Sequence, residues 1–362
     1  MAERSGGSPR IESTSDRSRF TWSRYTSSAS LPRHSTHRSD SLPRNSTHRS
    51  DSLPRHSTSF DDLAPSIPRA FREMVQGRPA EPTISGDDWL AHLPAQAAEL
   101  AAEWDLVADG PVWHGVCAIV IPCHRGTEPV VLKMSWPHEE ARLEHLALQT
   151  WAGRGAVRLL AADPARWAML LEPLQHDRNL DEPDLLEACE VIGGLMRRLD
   201  RPATPQFTRL SSDVARWIPL CRKGSPHVPR RLSDQAASLM TDLQNDCDGR
   251  LIHQDLHFQN VLAADREPWL AIDPKPLSGE WAFAVAPVLW NRWDEATDAH
   301  NLRAHLRLRL GLVCEAAGID EDRALAWSFV RLVTNAIWEA EEPQPGQAEL
   351  SRWIAAAKAM TD

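Results

Sequence analysis

Between Leu251 and Leu277 the chain reads LIHQDLHFQNVLAADREPWLAIDPKPL, and no other stretch so narrows what it can fold into. Two apolar runs flank a polar loop. His253 and Asp255 stand in that loop, and Asn260 follows five residues after the aspartate. Asp273 comes eighteen residues after Asp255, directly behind the run Trp269–Ile272. The pattern is a loop and a following hairpin whose polar ends converge, HxDxxxxN with a second Asp. Phosphoryl transfer rests on positioning and charge neutralisation, and these residue types supply both. Asp255 is placed to accept a hydroxyl proton. Asn260 and Asp273 offer the hard oxygens that Mg²⁺ takes. A polar loop between buried strands would explain an isolated HxD, but not four groups at these offsets.

A second constellation lies upstream. Lys133 sits in VVLKMSW, a strand-like run in which a lysine is costly unless paired. Eleven residues on, Glu144 falls on a helical pattern with Ala141, Ala147, Leu148 and Trp151 on the same face. A Lys133–Glu144 ion pair would satisfy both residues and hold the lysine on the nucleotide's phosphates. Glu139 and Glu140 are rival partners, but they occupy the first turn, where the helix dipole favours acids in any case. A phosphate-covering loop belongs between Gly110 and Val120, yet only Gly110 and Gly115 are present, in VWHGVCAIV. The LEPL run resembles an interlobe hinge, with backbone groups at Glu172 and Leu174 placed to bond adenine.

Around these motifs the chain divides in three. Residues 1–62 are rich in Ser, Arg and Pro, with an eleven-residue repeat (SLPRHSTHRSD, SLPRNSTHRSD, SLPRHSTS) starting at Ser30, Ser41 and Ser52. Each unit offers one Leu to bury, so the segment is expected to be disordered. It is also basic, with ten Arg against five acidic residues up to Phe60. Residues 66–174 carry strand-like runs at Val112–Pro122, Val130–Met134, Val157–Ala161 and Ala168–Leu171, with helices over Trp89–Trp104 and Pro137–Trp151. Residues 175–362 read as helical. Asp184 with Glu187 opens a helix whose Leu185, Cys189, Ile192, Met196 and Leu199 share a face. Further helices are expected over Ser233–Asp246, Thr297–Ala317 and Asp320–Glu341. A strand-rich front and a helix-rich back predict an α+β, bilobal molecule. No run of 18 apolar residues and no secretory leader are visible, and the six cysteines form no CxxC pair. A reduced, cytoplasmic protein without membrane contact is expected, and no protein partner is evident. The net charge of −10 argues against nucleic acid.

From about Trp89 onward the chain resembles the aminoglycoside phosphotransferase superfamily, in particular its streptomycin 6-kinase and hydroxyurea phosphotransferase branch. The resemblance rests on VLKMSWPHEEA (Val131–Ala141), GAVRLLAADP (Gly155–Pro164), LLEPL (Leu170–Leu174), HQDLHFQNVLAADREPWLAIDPKPLSG (His253–Gly279) and LWNRWDE (Leu289–Glu295). It implies a protein-kinase-like fold, with a small β-rich N-lobe and a larger helical C-lobe. ATP is the implied donor, Asp255 the base, Asn260 and Asp273 the magnesium ligands, and Lys133 with Glu144 the nucleotide clamp. The usual role in the family is inactivation of an antibiotic. Two departures stand out. Relatives carry Gly-Asp-Pro-x-Tyr/Phe-Asp where this chain has Gly279-Glu280-Trp281-Ala282-Phe283-Ala284. Ala284 therefore replaces an aspartate that braces the catalytic loop in relatives, and the glycine loop is thin.

The acceptor is expected to be a small hydroxyl compound carrying an amine or guanidine. Outside the basic tail the chain carries a net charge of about −15, a field that concentrates cations. Trp290, Asn291, Asp294 and Glu295 are candidate acceptor contacts, through flat aromatic faces, hydrogen bonds and charge. The competing reading puts Trp290 and Trp293 in the core and has the two acids cap the next helix. A metabolic aminosugar kinase, acting for example on glucosamine, and a catalytically idle ligand-binding pseudokinase are the alternative functions.

Overall fold

The computed structural model describes residues 60, 63–80 and 83–361, so the eleven-residue repeats lie outside the described residues. The front of the chain builds a mixed layer of helix on sheet. Helices α1 (Leu63–Ser66), α2 (Arg69–Val75) and α3 (Gly86–Trp104) precede strands β1 (Leu106–Ala108), β2 (Trp113–His114), β3 (Ala118–Arg125) and β4 (Glu128–Ser135). A 3₁₀ turn (Glu139–Ala141), helix α4 (Glu144–Trp151), β5 (Leu159–Asp163) and β6 (Ala168–Leu171) complete it. The sheet is antiparallel in the order β1-β3-β4-β6-β5, with β2 paired to β3. Alternation along the strands decides which residues face which side. Ile119, Ile121, Leu132, Met134 and Leu170 join Phe71, Trp89, Leu93 and Leu100 in an outer core. Val131, Met169 and Leu171 belong instead to the core of the second lobe. Lys133 is on this inner side, opposite Val120 and Met169.

The expected helix over Pro137–Trp151 is interrupted, with the 3₁₀ turn ending before α4 begins at Glu144. The expected strand Val112–Pro122 is likewise broken between His114 and Ala118, where the Gly115 N–H donates to the Ala118 carbonyl. A Cβ at Gly115 would meet nothing within 4 Å, so this tight hairpin has no steric need for its glycine.

Strand β7 (Gln175–Asn179) follows, and the helix-rich part of the chain comes after it. Helix α5 (Leu185–Leu199) is N-capped by Asp184, whose Oδ1 accepts from the Leu186 N–H at 2.9 Å. Then come β8 (Arg201–Pro202), α6 (Leu210–Lys223), α7 (Arg230–Leu243), β9 (Arg250–His253), β10 (Val261–Ala263), β11 (Trp269–Ala271) and β12 (Pro276–Gly279). Short helices α8 (Trp281–Ala284), α9 (Pro287–Trp290) and α10 (Trp293–Asp298) lead to α11 (Leu302–Ala317), α12 (Glu321–Glu341) and α13 (Gln347–Ala359). Gly193 lets α5 approach α11 closely, because a Cβ there would come within 2.5 Å of the Val313 carbonyl oxygen. The long helix α12 runs through the centre, with 13 of its residues buried from Ala324 to Trp338. It accounts for the all-round apolar pattern of that segment. All six cysteines are reduced and buried. Among the described residues no helix is long and apolar enough to cross a membrane.

The lobes are tied together at the strand β6 exit. Glu172 accepts from the Arg266 guanidinium at 2.7 and 2.9 Å, and Arg266 also donates to the Ala156 carbonyl. Sequence reading gives Glu172 a hinge position, and its side chain proves to be a strut between the lobes.

Candidate active site

Three segments bring the sequence-predicted residues into one cleft. Strand β9 ends in His253, so the loop that follows starts from a buried, fixed point. His253 is fully buried, and its Nε2 lies 3.0 Å from the Ile272 carbonyl oxygen. Its Nδ1 accepts from the Asp255 N–H at 3.2 Å, which fixes the tautomer with the proton on Nε2. Burial drives its pKa down to about 4, so the ring is neutral at pH 7. Asn260 closes the loop, with Nδ2 donating to the Asp255 carbonyl at 2.9 Å. With its amide nitrogen committed there, Asn260 has its Oδ1 left to offer.

Asp255 is 3% exposed. Its Oδ2 accepts from the Lys275 ammonium at 2.6 Å, while Oδ1 is buried without a hydrogen-bond partner among the described residues. Burial works against the carboxylate, but Lys275 and His257 hold its pKa below the ordinary aspartate value. Asp273 follows β11 with φ of +50°, a left-handed conformation uncommon for a residue with a side chain. Its side chain is 47% exposed, and Oδ1 meets Lys133 Nζ at 2.5 Å. Burial opposes its charge too, and Lys133 and Lys275 outweigh it, lowering its pKa.

Lys133 Nζ also lies 2.6 Å from Glu144 Oε1, so the expected ion pair is formed, with Asp273 as a third member. Burial works against the ammonium, yet Asp273 and Glu144 together raise its pKa. Glu144 is pushed up to about 7 by burial, against the pull of Lys133. Trp113 of β2 stacks on His176 of β7, with ring centroids 3.7 Å apart. At the expected hinge, the Glu172 N–H donates to the Arg158 carbonyl. The carbonyl of Glu172 and the N–H of Leu174 have no backbone partner among the described residues.

The expected acceptor contacts fare differently. Trp290 is 3% exposed, with its edge packed on Trp353 and its face taken by the Arg331 guanidinium, 5.0 Å from the ring centroid. It cannot present a flat face to a ligand, and the core reading is the correct one for this residue. Asn291 turns its Nδ2 back to the Pro287 carbonyl at 2.9 Å, closing α9. Asp294 and Glu295 fall in the first turn of α10, and Glu295 pairs with Arg292 at 2.6 Å. Arg292 also donates to the Leu180 and Pro183 carbonyls, next to the catalytic-loop residue Phe258 that bonds Leu180.

Three more residues complete the cleft: Lys275 and Arg331, to which sequence reading gave no role, and Glu140, which it weighed only as a rival partner for Lys133. Lys275, 8% exposed, lies between Asp255 and Glu140, the latter at 3.5 Å. The only hint in the sequence was a lysine inside an otherwise apolar run after Asp273. Arg331 is the third. From α12 it donates to the carbonyls of Gln254 and Phe283 at 2.9 and 3.2 Å, with its guanidinium 4.5 Å from the Phe283 ring centroid. Ala284 is fully buried in α8, so the loop is braced from α12 instead of from the position that Ala284 occupies. A lone arginine within AWSFVRLVTNAIW was its signal. Glu280 is occupied elsewhere, accepting from Trp327 Nε1 at 2.6 Å and from Arg323.

Comparison with known proteins gives the family and the fold. The family described as aminoglycoside/hydroxyurea antibiotic resistance kinase matches residues 103–343. A streptomycin 6-kinase of Streptomyces glaucescens is 40% identical over 266 residues, 71% of this chain and 86% of that protein. A hydroxyurea phosphotransferase of Kitasatospora aureofaciens is 36% identical over 289 residues, 76% of this chain and 81% of that protein. Among solved structures, a choline kinase from Streptococcus pneumoniae superposes with a TM-score of 0.52 at 10% identity, covering 75% of this chain and 99% of that one. At that identity the likeness shows the shared protein-kinase-like fold.

Proposed function

This chain is a kinase belonging to the aminoglycoside/hydroxyurea antibiotic resistance kinase family, and from that premise we propose that it inactivates a streptomycin-like aminoglycoside or hydroxyurea by phosphorylating a hydroxyl. The observation that carries the reading is Asp255, a buried carboxylate with one oxygen held by Lys275 and the other unpartnered. The acceptor oxygen attacks the γ-phosphorus of ATP, and the bond from that phosphorus to the β,γ-bridging oxygen breaks. The hydroxyl proton passes to Asp255 Oδ1, and ADP leaves with the bridging oxygen. Lys133, held by Glu144, steadies the phosphates of the nucleotide. The backbone of Glu172 and Leu174 takes the adenine. The lobes meet at 174/175, and the enzyme acts in the cytoplasm, where ATP is supplied.

Magnesium fits the residues present. Asn260 Oδ1 and Asp273 Oδ2 are hard oxygens not committed to other groups, and Mg²⁺ sites commonly use one or two protein ligands together with phosphates. No group of three His, Cys, Asp or Glu close enough to hold a metal alone is found among the described residues, in keeping with a site that the nucleotide completes. When bound, the ion would neutralise charge on the transferring phosphoryl group. On the acceptor side, Asp294 and Glu295 are the proposed acids, on a helix anchored through Arg292 beside the catalytic loop.

Steady-state ATP turnover with streptomycin, hydroxyurea and glucosamine tests the reading. Turnover with one of the first two is expected. Efficient turnover with glucosamine alone would assign the enzyme to aminosugar metabolism, and none with any acceptor would contradict the proposal.

A further inference from the structure

Two lysines in the cleft are held in the same way. Lys133 lies 2.6 Å from Glu144 and 2.5 Å from Asp273. Lys275 lies 2.6 Å from Asp255 and 3.5 Å from Glu140. In each set one carboxylate comes from the N-lobe segment around α4 and the other from the catalytic region of the C-lobe. The two glutamates are four residues apart, one helical turn's spacing, and Lys275 stands two residues beyond Asp273. The second set repeats the first, displaced toward the base.

A purely structural lysine would be closed off by its partners, because burying an ammonium costs several kcal/mol unless its geometry is well satisfied. Here the closure is incomplete. Glu140 Oε2 is buried without a hydrogen bond among the described residues, and its distance to Lys275 is long for one. Asp255 Oδ1 is also unpartnered. Burial raises the pKa of Glu140 against the pull of Lys275, as expected for a carboxylate only half matched by its cation. The unsatisfied atoms lie on either side of the lysine, one in each lobe.

We propose that Glu140 and Lys275 form a second interlobe clamp: Lys275 is a positioning residue that sets the Asp255 carboxylate with Oδ1 toward the acceptor, and Glu140 holds that lysine from the N-lobe. The proposal rests on the phosphotransferase reading of this cleft. It adds that closure of the lobes orders the base as well as the nucleotide. The two clamps divide the work: Lys133 serves nucleotide phosphates and Lys275 serves the base. Removing Lys275 therefore slows transfer without loosening nucleotide.

The test uses the full chain, with the fastest acceptor among streptomycin, hydroxyurea and glucosamine, and calorimetric titration with Mg-ADP. Lys275→Met should lower kcat by about 100-fold or more, the scale of losing one preorganised charge at a reacting group, with KM for ATP and Mg-ADP affinity within about threefold. Lys275→Arg should recover roughly tenfold of that loss, because the cation is kept. Glu140→Gln, a milder change at the cleft edge, should lower kcat by about three- to tenfold in the wild-type background and add nothing to Lys275→Met. Asp255→Asn run in parallel separates the two claims. If Asp255→Asn turns over normally, the reading of the cleft fails. If Asp255→Asn is inactive while Lys275→Met keeps kcat within about threefold of wild type, the clamp alone fails. The clamp is also overturned if Lys275→Met loses kcat and Mg-ADP affinity together and Lys275→Arg is no better. A Glu140→Gln effect that adds fully to Lys275→Met would overturn the role of Glu140. Should Lys275→Met fold poorly, the Lys275→Arg and Glu140→Gln pair carries the same decision.

Discussion

The interlobe cleft and the interior of the helical lobe both bury charged side chains, but they finish them differently. In the helical lobe the buried cations are engaged by nearby backbone carbonyls or a neighbouring acid, although Arg309 Nε and Arg352 Nε are buried without a hydrogen-bond partner among the described residues. Arg309, fully buried, donates to the carbonyls of Val288, Asn291 and Arg292 and so caps the end of α9. Glu280 is taken up by Trp327 and Arg323. In the cleft, Asp255 Oδ1 and Glu140 Oε2 stay buried and unmatched, and Asp273 turns half of its side chain outward. Burial alone does not mark a functional charge. A charge whose bonding capacity is left partly unused beside an opening does.

That contrast can be broken by substitution, and the largest effects belong to the cleft. Asp273→Ala should abolish transfer, by roughly 1,000-fold or more, and weaken Mg-ATP binding with it, since a direct ligand is lost. Its melting temperature should stay close to that of the wild type, and unchanged ATP affinity in the presence of magnesium would exclude it as a ligand. Lys133→Met should cost about 100-fold in kcat/KM, and Glu144→Gln somewhat less. A double-mutant cycle should return a coupling of about 1 kcal/mol or more, whereas strict additivity would show that the two do not act as a pair.

The helical lobe should respond in the opposite sense. Arg309→Met leaves three carbonyls without their donor and should cost about 2–4 kcal/mol of stability in denaturant unfolding. The kcat of the folded fraction should remain within about twofold of wild type, because Arg309 contacts none of Lys133, Asp255, Asn260 and Asp273; through Asn291 and Arg292 any remaining effect should fall on KM for the acceptor. Loss of kcat without loss of stability would erase the distinction between the two regions. The smallest effect is expected at α10. Glu295→Gln removes one exposed carboxylate already paired with Arg292, and should raise KM for a cationic acceptor by no more than about threefold, less at high salt.

The two regions also differ in how readily their residues can be read from sequence. His253, Asp255, Asn260 and Asp273 stand out because fixed offsets along one hairpin suffice to bring them together. Lys133 and Glu144 stand out because each is a charge in an apolar pattern with a partner of opposite sign nearby. Helices α5 and α12 are legible for the same local reasons, a capping aspartate at Asp184 and at Asp320 and a sustained apolar face. The Trp290–Glu295 segment misleads because its composition suits a cation site, while the partners that fill it, Arg331 and Trp353, are far away in the chain. Lys275 and Arg331 escape for that reason too, as does the pairing of Glu140 with Lys275 in place of Lys133. Their meaning comes from which charge each faces across the fold, and no spacing rule reports it. Helices α6 and α13 and strand β7 were also missed. β7 is mostly polar (QHDRN), and it pairs with β10 across the lobe.

The central claim is that Asp255 takes the acceptor proton in a cleft otherwise built to hold nucleotide. Single-turnover transfer of labelled γ-phosphate to the best acceptor should be compared for wild type and Asp255→Asn, with Mg-ADP affinity measured on the same preparations. The account predicts that transfer falls by about 100-fold or more, the scale of lost general-base catalysis, while Mg-ADP binds within about threefold of wild type. Transfer by Asp255→Asn within a few fold of wild type would contradict it.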